Sequence, residues 1–391
     1  MTNPAQKTAR RTRTLGESVI REMNDFADQH GAINLAQGMP DFPAPEVLKE
    51  AACAAIRGDI NQYAVTSGAP NLRQAIAKKY RDWYGMDLHP EREITVTCGA
   101  TEAMACVALG LFDPGDEVII FEPFYENYGP DAVLAQAKPV YLRLDPPTYD
   151  LKREALAALI TPKTRAIVVN TPNNPTGRVF GRNDLQIIAD LCLEHDIIAI
   201  TDEIYEHIFY EGEHVPLATL PGMADRTVTI SGMSKTYSVT GWRIGTIVAP
   251  PGLTEGIQKI HDFVTVGTAA PLQDACAVGI EQLGPDYYTD MIDEYRVRRD
   301  IMISGLRDAG FECATPQGAY YVMADFSAIS DEDDFTFAKR LIHEAGVGTV
   351  PGSSFYHTEG AGTSLVRFVF CKREDTLREA GQRLRDFAGK G

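Results

Sequence analysis

Short, continuous apolar runs that alternate with longer amphipathic segments constrain the fold of this chain more than any other feature. The runs cover residues 94–97, 117–121, 166–170, 197–201, 227–230 and 244–248. Between them, the stretches 101–111 and 183–195 have the pattern of helices. Apolar strands that are joined by helices are typical of a parallel sheet that helices bury on both faces. The pattern therefore predicts an α/β fold.

The pattern of apolar and charged residues changes in the last quarter of the sequence, where a long charged helical segment covers 287–309. A hairpin-like stretch near 318–321, a further helical segment, an apolar strand and a last helix follow. This order is typical of a smaller α+β unit, and a chain of 391 residues is long enough for two domains. We therefore expect a large domain at 46–285 and a small domain formed by 1–45 together with 286–391.

Charge and cysteine content exclude several classes of function. The chain carries 37 basic against 54 acidic side chains, for a net charge of −17, so nucleic acid and anionic membranes are disfavoured as partners. Its seven cysteines form no Cys-x-x-Cys pair, so we expect no disulfide framework, no metal site and a reducing, cytoplasmic setting. No apolar stretch approaches the roughly 18 residues of a membrane span, and the polar N-terminus is unlike a secretory signal.

Lys235 lies in the most informative segment, Ser-Gly-Met-Ser-Lys-Thr-Tyr-Ser-Val-Thr-Gly-Trp-Arg-Ile-Gly at 231–245, directly after an apolar run. The small neighbours let a bulky group approach the backbone, and Arg243 adds a fixed positive charge that suits phosphate. Lysine, phosphate and aldehyde chemistry meet in pyridoxal 5′-phosphate (PLP), which a lysine holds as a Schiff base. The alternative is a surface lysine after an edge strand, the usual environment of lysine. The surrounding glycines and serines favour the cofactor.

Polar residues follow other predicted strands, at the edge where open α/β sheets bind ligands. Ala100 and Thr101 open a helix whose free N–H groups suit phosphate, although Thr101 could equally be a plain helix cap. Asp202 ends an apolar strand, where a buried carboxylate needs a positive partner such as a protonated pyridine nitrogen. Otherwise Asp202 would cap the next helix. Tyr205 follows three residues later and could point the same way.

The loop Asn-Thr-Pro-Asn-Asn-Pro-Thr-Gly at 170–177 is the second strong signal, because two prolines and a glycine restrict the backbone around Asn174. We expect a cis peptide bond between Asn174 and Pro175. Tyr125 also follows a strand, where it would stack on a flat ring or fill the core. Arg367 interrupts an apolar strand, where it would grip a carboxylate of a substrate or of an internal acid.

Nearly the whole chain resembles the fold-type I, PLP-dependent aminotransferases of class I/II. The resemblance rests on the loop at 170–177, Asp-Glu-Ile-Tyr at 202–205, Ser-Lys-Thr-Tyr-Ser-Val-Thr-Gly-Trp-Arg-Ile-Gly at 234–245 and Val-Arg-Phe-Val-Phe at 366–370. The stretches 34–42 and 371–377 are most similar to the kynurenine/glutamine and methionine aminotransferase branch. The resemblance implies a large PLP-binding domain with a mostly parallel, seven-stranded sheet sandwiched by helices, and a smaller α+β domain.

The resemblance also implies how the cofactor would be held. Lys235 would carry PLP as a Schiff base and move the substrate's α-proton, while Asp202 would keep the pyridine nitrogen protonated. Asn174 and Tyr205 would bind the ring oxygen, and Tyr125 would stack on the ring. The phosphate would be bound by the backbone of Ala100 and Thr101 and by the side chains of Ser234 and Arg243.

Substrate binding and assembly are implied in the same way. Arg367 would bind the substrate α-carboxylate, with help from Asn174 and from the backbone near Ala36 and Gly38. Tyr63 would reach the phosphate in a neighbouring subunit, which implies a homodimer with shared active sites.

Two positions depart from the pattern of the family. Many relatives have serine where this chain has Gly232, so either Ser231 or Ser234 could supply the phosphate contact. Many also have glycine where this chain has Ala36, and we expect the extra methyl group to narrow the pocket.

The implied reaction is a two-stage, ping-pong exchange in which an L-amino acid leaves as a 2-oxo acid and a second 2-oxo acid takes up the amino group. We expect an aromatic, methionine, glutamine or kynurenine-like donor, because no second arginine for a distal carboxylate can be identified. A cysteine-conjugate β-lyase and an aspartate-type aminotransferase are alternatives on the same scaffold. The effector-sensing domain of a transcription regulator is disfavoured by the acidic charge.

Overall fold

The computed structural model describes residues 7–13 and 15–389. Up to the end of the large sheet, the elements are α1 (Val19–Gln29), β1 (Ile33–Asn34), α2 (Glu46–Arg57), α3 (Pro70–Tyr84), β2 (Ile94–Thr97), α4 (Gly99–Leu111), β3 (Glu117–Glu122), α5 (Tyr128–Leu134), β4 (Lys138–Arg143), α6 (Arg153–Ala157), β5 (Thr164–Asn170), α7 (Arg182–His195), β6 (Ile198–Asp202), β7 (Thr227–Gly232) and β8 (Gly245–Val248). The remaining elements are α8 (Pro251–Val264), α9 (Ala270–Gln282), α10 (Pro285–Asp308), β9 (Glu312–Cys313), β10 (Tyr321–Asp325), α11 (Asp334–Arg340), β11 (Val347–Gly348), β12 (Val350–Pro351), β13 (Leu365–Val369) and α12 (Glu374–Ala388).

Seven strands form the large sheet, in the order β2-β8-β7-β6-β5-β3-β4. The pairs from β7 to β4 are parallel, whereas β8 runs antiparallel to both β2 and β7. Every residue of β2, β3, β7 and β8 is buried, as a sheet covered on both faces requires. The predicted α/β fold with a mostly parallel, seven-stranded sheet is therefore confirmed.

The parallel strands bring the polar sequence motifs together at one edge of this sheet. Asn170 ends β5 and pairs with Asp202, which ends β6. Asp202 in turn pairs with Ile230 of β7, two residues before that strand ends at Gly232. Because the carboxyl ends of parallel strands lie at the same edge, the loops that follow these strands share one crevice.

The C-terminal part contains a four-stranded antiparallel sheet in the order β12-β13-β10-β9. Arg367 lies in the middle of β13, paired with Met323 on one side and Val350 on the other. β1 pairs with β11, so the N-terminal segment adds to this part of the chain. The domain boundaries at 45/46 and 285/286 remain a prediction.

No helix in the described ranges is long and apolar enough to cross a membrane. All seven cysteines are free thiols, and Cys106, Cys192, Cys276 and Cys371 are buried.

Candidate active site

A cavity of about 500 Å³ opens at the carboxyl edge of the large sheet. Eleven of the residues predicted from the sequence line it: Gly38, Ala100, Thr101, Tyr125, Asn174, Asp202, Tyr205, Ser234, Lys235, Arg243 and Arg367. Its volume is typical of sites that bind small molecules. The sequence motifs, which lie up to several hundred residues apart, thus meet in one place.

Lys235 lies three residues beyond the end of β7, on the wall of the cavity. Its Nζ lies over two aromatic rings, 5.9 Å from the centre of Tyr205 and 5.8 Å from that of Tyr320. Burial lowers the pKa of Lys235 to about 8, and the charge of Arg243 adds to this effect. A lysine with such a pKa has a larger fraction of neutral amine near neutral pH than an ordinary lysine, and Schiff-base formation and proton transfer both need this form.

Asp202 is a buried carboxylate at the base of the cavity. It accepts a hydrogen bond from the Tyr128 hydroxyl at 2.6 Å and one from the backbone N–H of Ile204 at 3.2 Å. Burial nevertheless raises its pKa, although these hydrogen bonds and the charge of Lys235 oppose the rise. A carboxylate in this environment is stabilised in its ionised form by a cationic ligand, which a protonated pyridine nitrogen would provide.

Asn174 and Tyr205 each keep a polar group for a ligand. The Asn174 side-chain oxygen accepts a hydrogen bond from Arg367 Nη1 at 3.0 Å, and because arginine only donates, the amide nitrogen remains available to donate. The hydroxyl groups of Tyr205 and Tyr321 lie 2.8 Å apart. The Asn174–Pro175 peptide bond is cis, as predicted.

Arg367 is 1% exposed and donates to Asn174 and to the carbonyl oxygen of Ala36. Its guanidinium group lies 4.7 Å from the ring centre of Tyr321 and 4.9 Å from that of Phe355. Glu126 acts on it through charge, without an ion pair between the two in the described part of the chain, and its Nε has no hydrogen-bond partner. The internal-acid alternative is therefore not supported, and the free donors suit the carboxylate of a ligand.

The start of α4 and Arg243 form the opposite end of the cavity. Ala100 and Thr101 occupy the first turn of this helix, whose unpaired N–H groups suit an anion. The Arg243 guanidinium group occupies the space that a side chain on Gly99 would need, and its Nη1 donates to the carbonyl oxygen of Thr240 at 3.0 Å. Gly99 thus lets a cation lie directly against the helix N-terminus.

The two serines near Lys235 have different environments. Ser231 is buried and donates to Glu206 at 2.5 Å, away from the cavity, whereas Ser234 lies on the cavity wall. A Cβ atom on Gly232 would stand 2.7 Å from the carbonyl oxygen of Ile244, which leaves no room for the serine of many relatives. The geometry favours Ser234 as the phosphate ligand.

Two predicted residues do not line this cavity. Ala36 is fully buried, and its carbonyl oxygen accepts a hydrogen bond from Arg367. Its methyl group is not among the groups that line the cavity in the described part of the chain, so the expected narrowing of the pocket is not supported. Tyr63 is 92% exposed on the surface.

Sequence reasoning missed other residues of the site. Tyr128 and Tyr321 line the cavity, and so do residues of the N-terminal segment: Ser18, Ile20, Arg21, Gln37 and Met39. Tyr128 lies in the same short stretch after strand β3 as Tyr125, and this position at the edge of the sheet was a usable signal for it. The N-terminal residues belong to no recognisable motif. Contacts between parts of the chain that are far apart in sequence bring them to the cavity.

The site fits PLP in charge and in shape. One end offers helix N–H groups and Arg243 to a phosphate, the base offers the buried carboxylate of Asp202, and Lys235 lines the same cavity. Gly99 and Gly245 pack against each other so closely that a Cβ atom on Gly245 would overlap the Gly99 backbone. This close packing leaves the phosphate end free of side-chain bulk.

The chain matches known proteins over nearly its whole length. The family described as "Aminotransferase class I and II" matches residues 30–384. The methionine aminotransferase of Escherichia coli (strain K12) is 37% identical, over 95% of this chain and 96% of the relative. Human kynurenine–oxoglutarate transaminase 1 is 34% identical, over 97% and 98%. The solved structure of N-succinyldiaminopimelate aminotransferase from Mycobacterium tuberculosis has a TM-score of 0.94 at 39% identity, over 97% of this chain and 99% of that one.

A match of this extent, on a chain whose motifs meet in one cavity, establishes both family and chemistry. The chain belongs to the class I and II aminotransferases, and it is a transaminase that uses pyridoxal phosphate to move amino groups between amino acids and 2-oxo acids.

Proposed function

We propose that the amino donor is an L-amino acid with an aromatic, methionine, glutamine or kynurenine-like side chain, used in a ping-pong exchange with a 2-oxo acid. The observation that carries the proposal is the mouth of the cavity, where Ile20, Gln37 and Met39 offer apolar and amide surface to a substrate side chain. Relatives named as methionine and kynurenine transaminases support the same donor class.

Lys235 is the residue that we assign to proton transfer. Bound PLP would act as the sink for the electron pair left when the substrate's α-C–H bond breaks. Lys235 Nζ, with a pKa near 8, is suited to take that proton and to return it on the other side of the exchange. Asp202 holds a negative charge at the cavity base, and Tyr128 and the Ile204 N–H orient it.

Arg367 and Asn174 are assigned to the substrate α-carboxylate. Arg367 is held in place from two sides by the Ala36 carbonyl oxygen and by Asn174, so its remaining N–H groups keep a fixed direction. Such an oriented fork binds a carboxylate by two parallel hydrogen bonds and sets the position of the substrate Cα. Ala100, Thr101, Ser234 and Arg243 are assigned to the phosphate, and Tyr125 to stacking on the ring.

We also propose a homodimer in which Tyr63 reaches the phosphate held in the neighbouring subunit. Tyr63 is 92% exposed and Phe263 is 93% exposed, and Val65, Val264 and Val266 are more than half exposed beside them in the sequence. Large apolar side chains clustered in this way are typical of a surface that another chain covers.

The free thiols support our expectation of a reducing, cytoplasmic setting.

A second candidate donor carries a distal carboxylate. Arg21 lines the cavity on the first turn of α1, and its side chain is exposed. This residue could serve as the second arginine that an acidic donor requires. Glu126 lies on the same wall, however, and its negative charge opposes a second carboxylate.

A donor panel separates these possibilities. Methionine, kynurenine, glutamine and aspartate would be tested in the half-reaction with wild type, with Arg21→Gln and with Arg57→Gln, which changes an exposed arginine on α2 as a matched control. We expect an uncharged donor to react fastest in all three proteins. Aspartate as the fastest donor, lost only in Arg21→Gln, would establish the acidic class instead. Release of pyruvate from a cysteine conjugate without an acceptor, faster than transamination, would establish the β-lyase.

A further inference from the structure

Behind the start of α4, outside the cavity, Glu102, Cys106 and His261 form a buried polar cluster. His261 Nδ1 lies 2.7 Å from Glu102 Oε1, and the Cys106 thiol donates to the same oxygen at 2.9 Å. The other carboxylate oxygen accepts the Cys98 N–H at 2.6 Å. His261 and Cys106 are fully buried. The cluster thus joins α8 to the first turn of α4.

The hydrogen bonds of His261 define its protonation state. Nδ1 faces the Glu102 carboxylate, and Nε2 faces the carbonyl oxygen of Thr66 at 2.8 Å. The Thr66 carbonyl oxygen only accepts, and the lowered pKa of Glu102 makes its carboxylate an acceptor as well, so each ring nitrogen donates and the ring is an imidazolium. With both nitrogens donating, the ring has no lone pair left for a metal ion, although the three side chains lie within 4.8 Å of one another.

The surrounding groups agree with a charged pair. Burial alone would lower the pKa of His261, but the hydrogen bond and charge of Glu102, the Thr66 carbonyl and the nearby Asp262 raise it above its usual value. Burial alone would raise the pKa of Glu102, but the hydrogen bonds from His261, Cys106 and Cys98 lower it. The other groups near the cluster are the Cys106 thiol, whose pKa burial raises, and Asp131, whose pKa burial raises to about 7.

The negative charge of Glu102 lies where it would weaken the binding of a phosphate group at the start of α4. It directly follows Thr101, in the first turn of the helix whose N–H groups face the cavity, and a carboxylate there repels an anion at the helix N-terminus. His261 cancels that charge through a direct hydrogen bond. We propose that His261 is a positioning residue whose positive charge neutralises Glu102, so that the start of α4 attracts the cofactor phosphate more strongly while His261 is protonated. This inference rests on the proposed assignment of the start of α4 to the phosphate.

The expected pH dependence follows from the sign of the His261 shift. Because its pKa is raised, His261 keeps its proton to a higher pH than an ordinary histidine and loses it as the pH rises through that pKa. Phosphate affinity is therefore complete below the folded pKa and falls above it, because Glu102 is then uncompensated. One uncompensated charge at this position corresponds to a loss of about tenfold in affinity.

The test is a double-mutant cycle on the cofactor-free protein, with His261→Gln, Glu102→Gln and both together. The probe is 4-deoxypyridoxine 5′-phosphate, which has no aldehyde and therefore does not react with Lys235. Deoxypyridoxine without phosphate is the second probe. Glu255→Gln serves as the control, because it makes the same chemical change in an exposed ion pair with Lys259 on α8, the helix that carries His261.

We expect His261→Gln to bind the phosphorylated probe about tenfold more weakly, and the double variant to regain wild-type affinity, because two amides can pair without charge. The affinity of wild type should fall more steeply at alkaline pH than that of Glu102→Gln, which keeps only the part of the fall that the loss of the Lys235 charge causes. Affinity for the probe without phosphate should change in none of the variants. Additive losses in the double variant, or equal losses for both probes, would overturn the proposal in favour of a purely structural role. Failure of wild type to bind the phosphorylated probe would instead refute the assignment of the cofactor site.

Discussion

The Tyr128 hydroxyl donates a 2.6 Å hydrogen bond to Asp202, the carboxylate at the base of the cavity. Asp202 closes strand β6 and Tyr128 begins helix α5, so the bond joins two layers of the fold directly under the site. Burial raises the pKa of Asp202, and this hydrogen bond opposes the rise. Tyr128 therefore helps to keep Asp202 ionised.

Replacement of Tyr128 by phenylalanine should weaken catalysis without loss of the fold. The lost hydrogen bond to a charged group corresponds to about a tenfold lower kcat. Because the pKa of Asp202 rises further, the acidic limb of the pH–rate profile should move to higher pH. Steady-state kinetics across pH measure both effects. Tyr149→Phe, a buried tyrosine outside the cavity lining, is the control, and an unshifted profile in Tyr128→Phe would remove Tyr128 from this role.

Replacement of Gly232 by serine should destabilise the protein. A Cβ atom there would stand 2.7 Å from the Ile244 carbonyl oxygen and 2.9 Å from the Gly245 Cα, so the neighbouring strand must move. We expect the free energy of unfolding to fall by about 1–3 kcal/mol. Denaturant titration measures it, with Gly252→Ala as control because nothing lies within 4 Å of a Cβ atom at that position. A Gly232→Ser protein as stable as wild type would contradict the packing described here.

Lys235 should make the stability of the cofactor-free protein depend on pH. Its pKa is lowered to about 8 by burial, so between about pH 8 and the usual lysine value the unfolded state binds more protons than the folded state. Stability therefore rises with pH across this window. Below pH 8, the free energy of unfolding of Lys235→Met should exceed that of wild type by about 1–3 kcal/mol, a range that allows for solvent in the cavity. This gap in the free energy of unfolding should shrink as the pH rises. A gap that is constant from pH 7 to 10 would be inconsistent with a lysine perturbed by burial.

Arg367→Lys should lower kcat/KM for substrates that carry an α-carboxylate, and not for amines that lack one. A lysine cannot form two parallel hydrogen bonds or stack on Tyr321 and Phe355. We expect kcat/KM for the preferred amino acid to fall about 100-fold, which corresponds to the loss of one to two charge-assisted hydrogen bonds. The decarboxylated amine of the same donor is the control and should react equally slowly with both proteins. An equal loss for the amine would mean that Arg367 acts through the fold.

The sequence was sufficient for the central sheet because apolar runs without polar alternation have few other structural interpretations. It also indicated the residues that follow strands, since the carboxyl ends of parallel strands meet at one edge. Asn174, Asp202 and Lys235 were therefore accessible from local motifs. The antiparallel direction of β8 was not, because strand direction depends on the chain path between strands.

Contacts made across long sequence separations lay beyond such reasoning. The partner of His261 lies 159 positions away at Glu102, and the partner of Asp202 lies 74 positions away at Tyr128. The placement of Ser18 to Arg21 at the cavity mouth depends on the pairing of β1 with β11, two strands of two residues each. No periodicity or motif encodes pairings that short.

The most direct test of the account is borohydride reduction of the purified protein with PLP, followed by peptide mapping, before and after incubation with an amino donor. We predict that reduction fixes the cofactor on Lys235, and that prior incubation with methionine or an aromatic amino acid abolishes the modification, because the donor converts the cofactor to its aminated form and frees the lysine. A cofactor fixed on another lysine, or a modification of Lys235 that no amino donor removes, would contradict the central claim that Lys235 carries PLP for transamination.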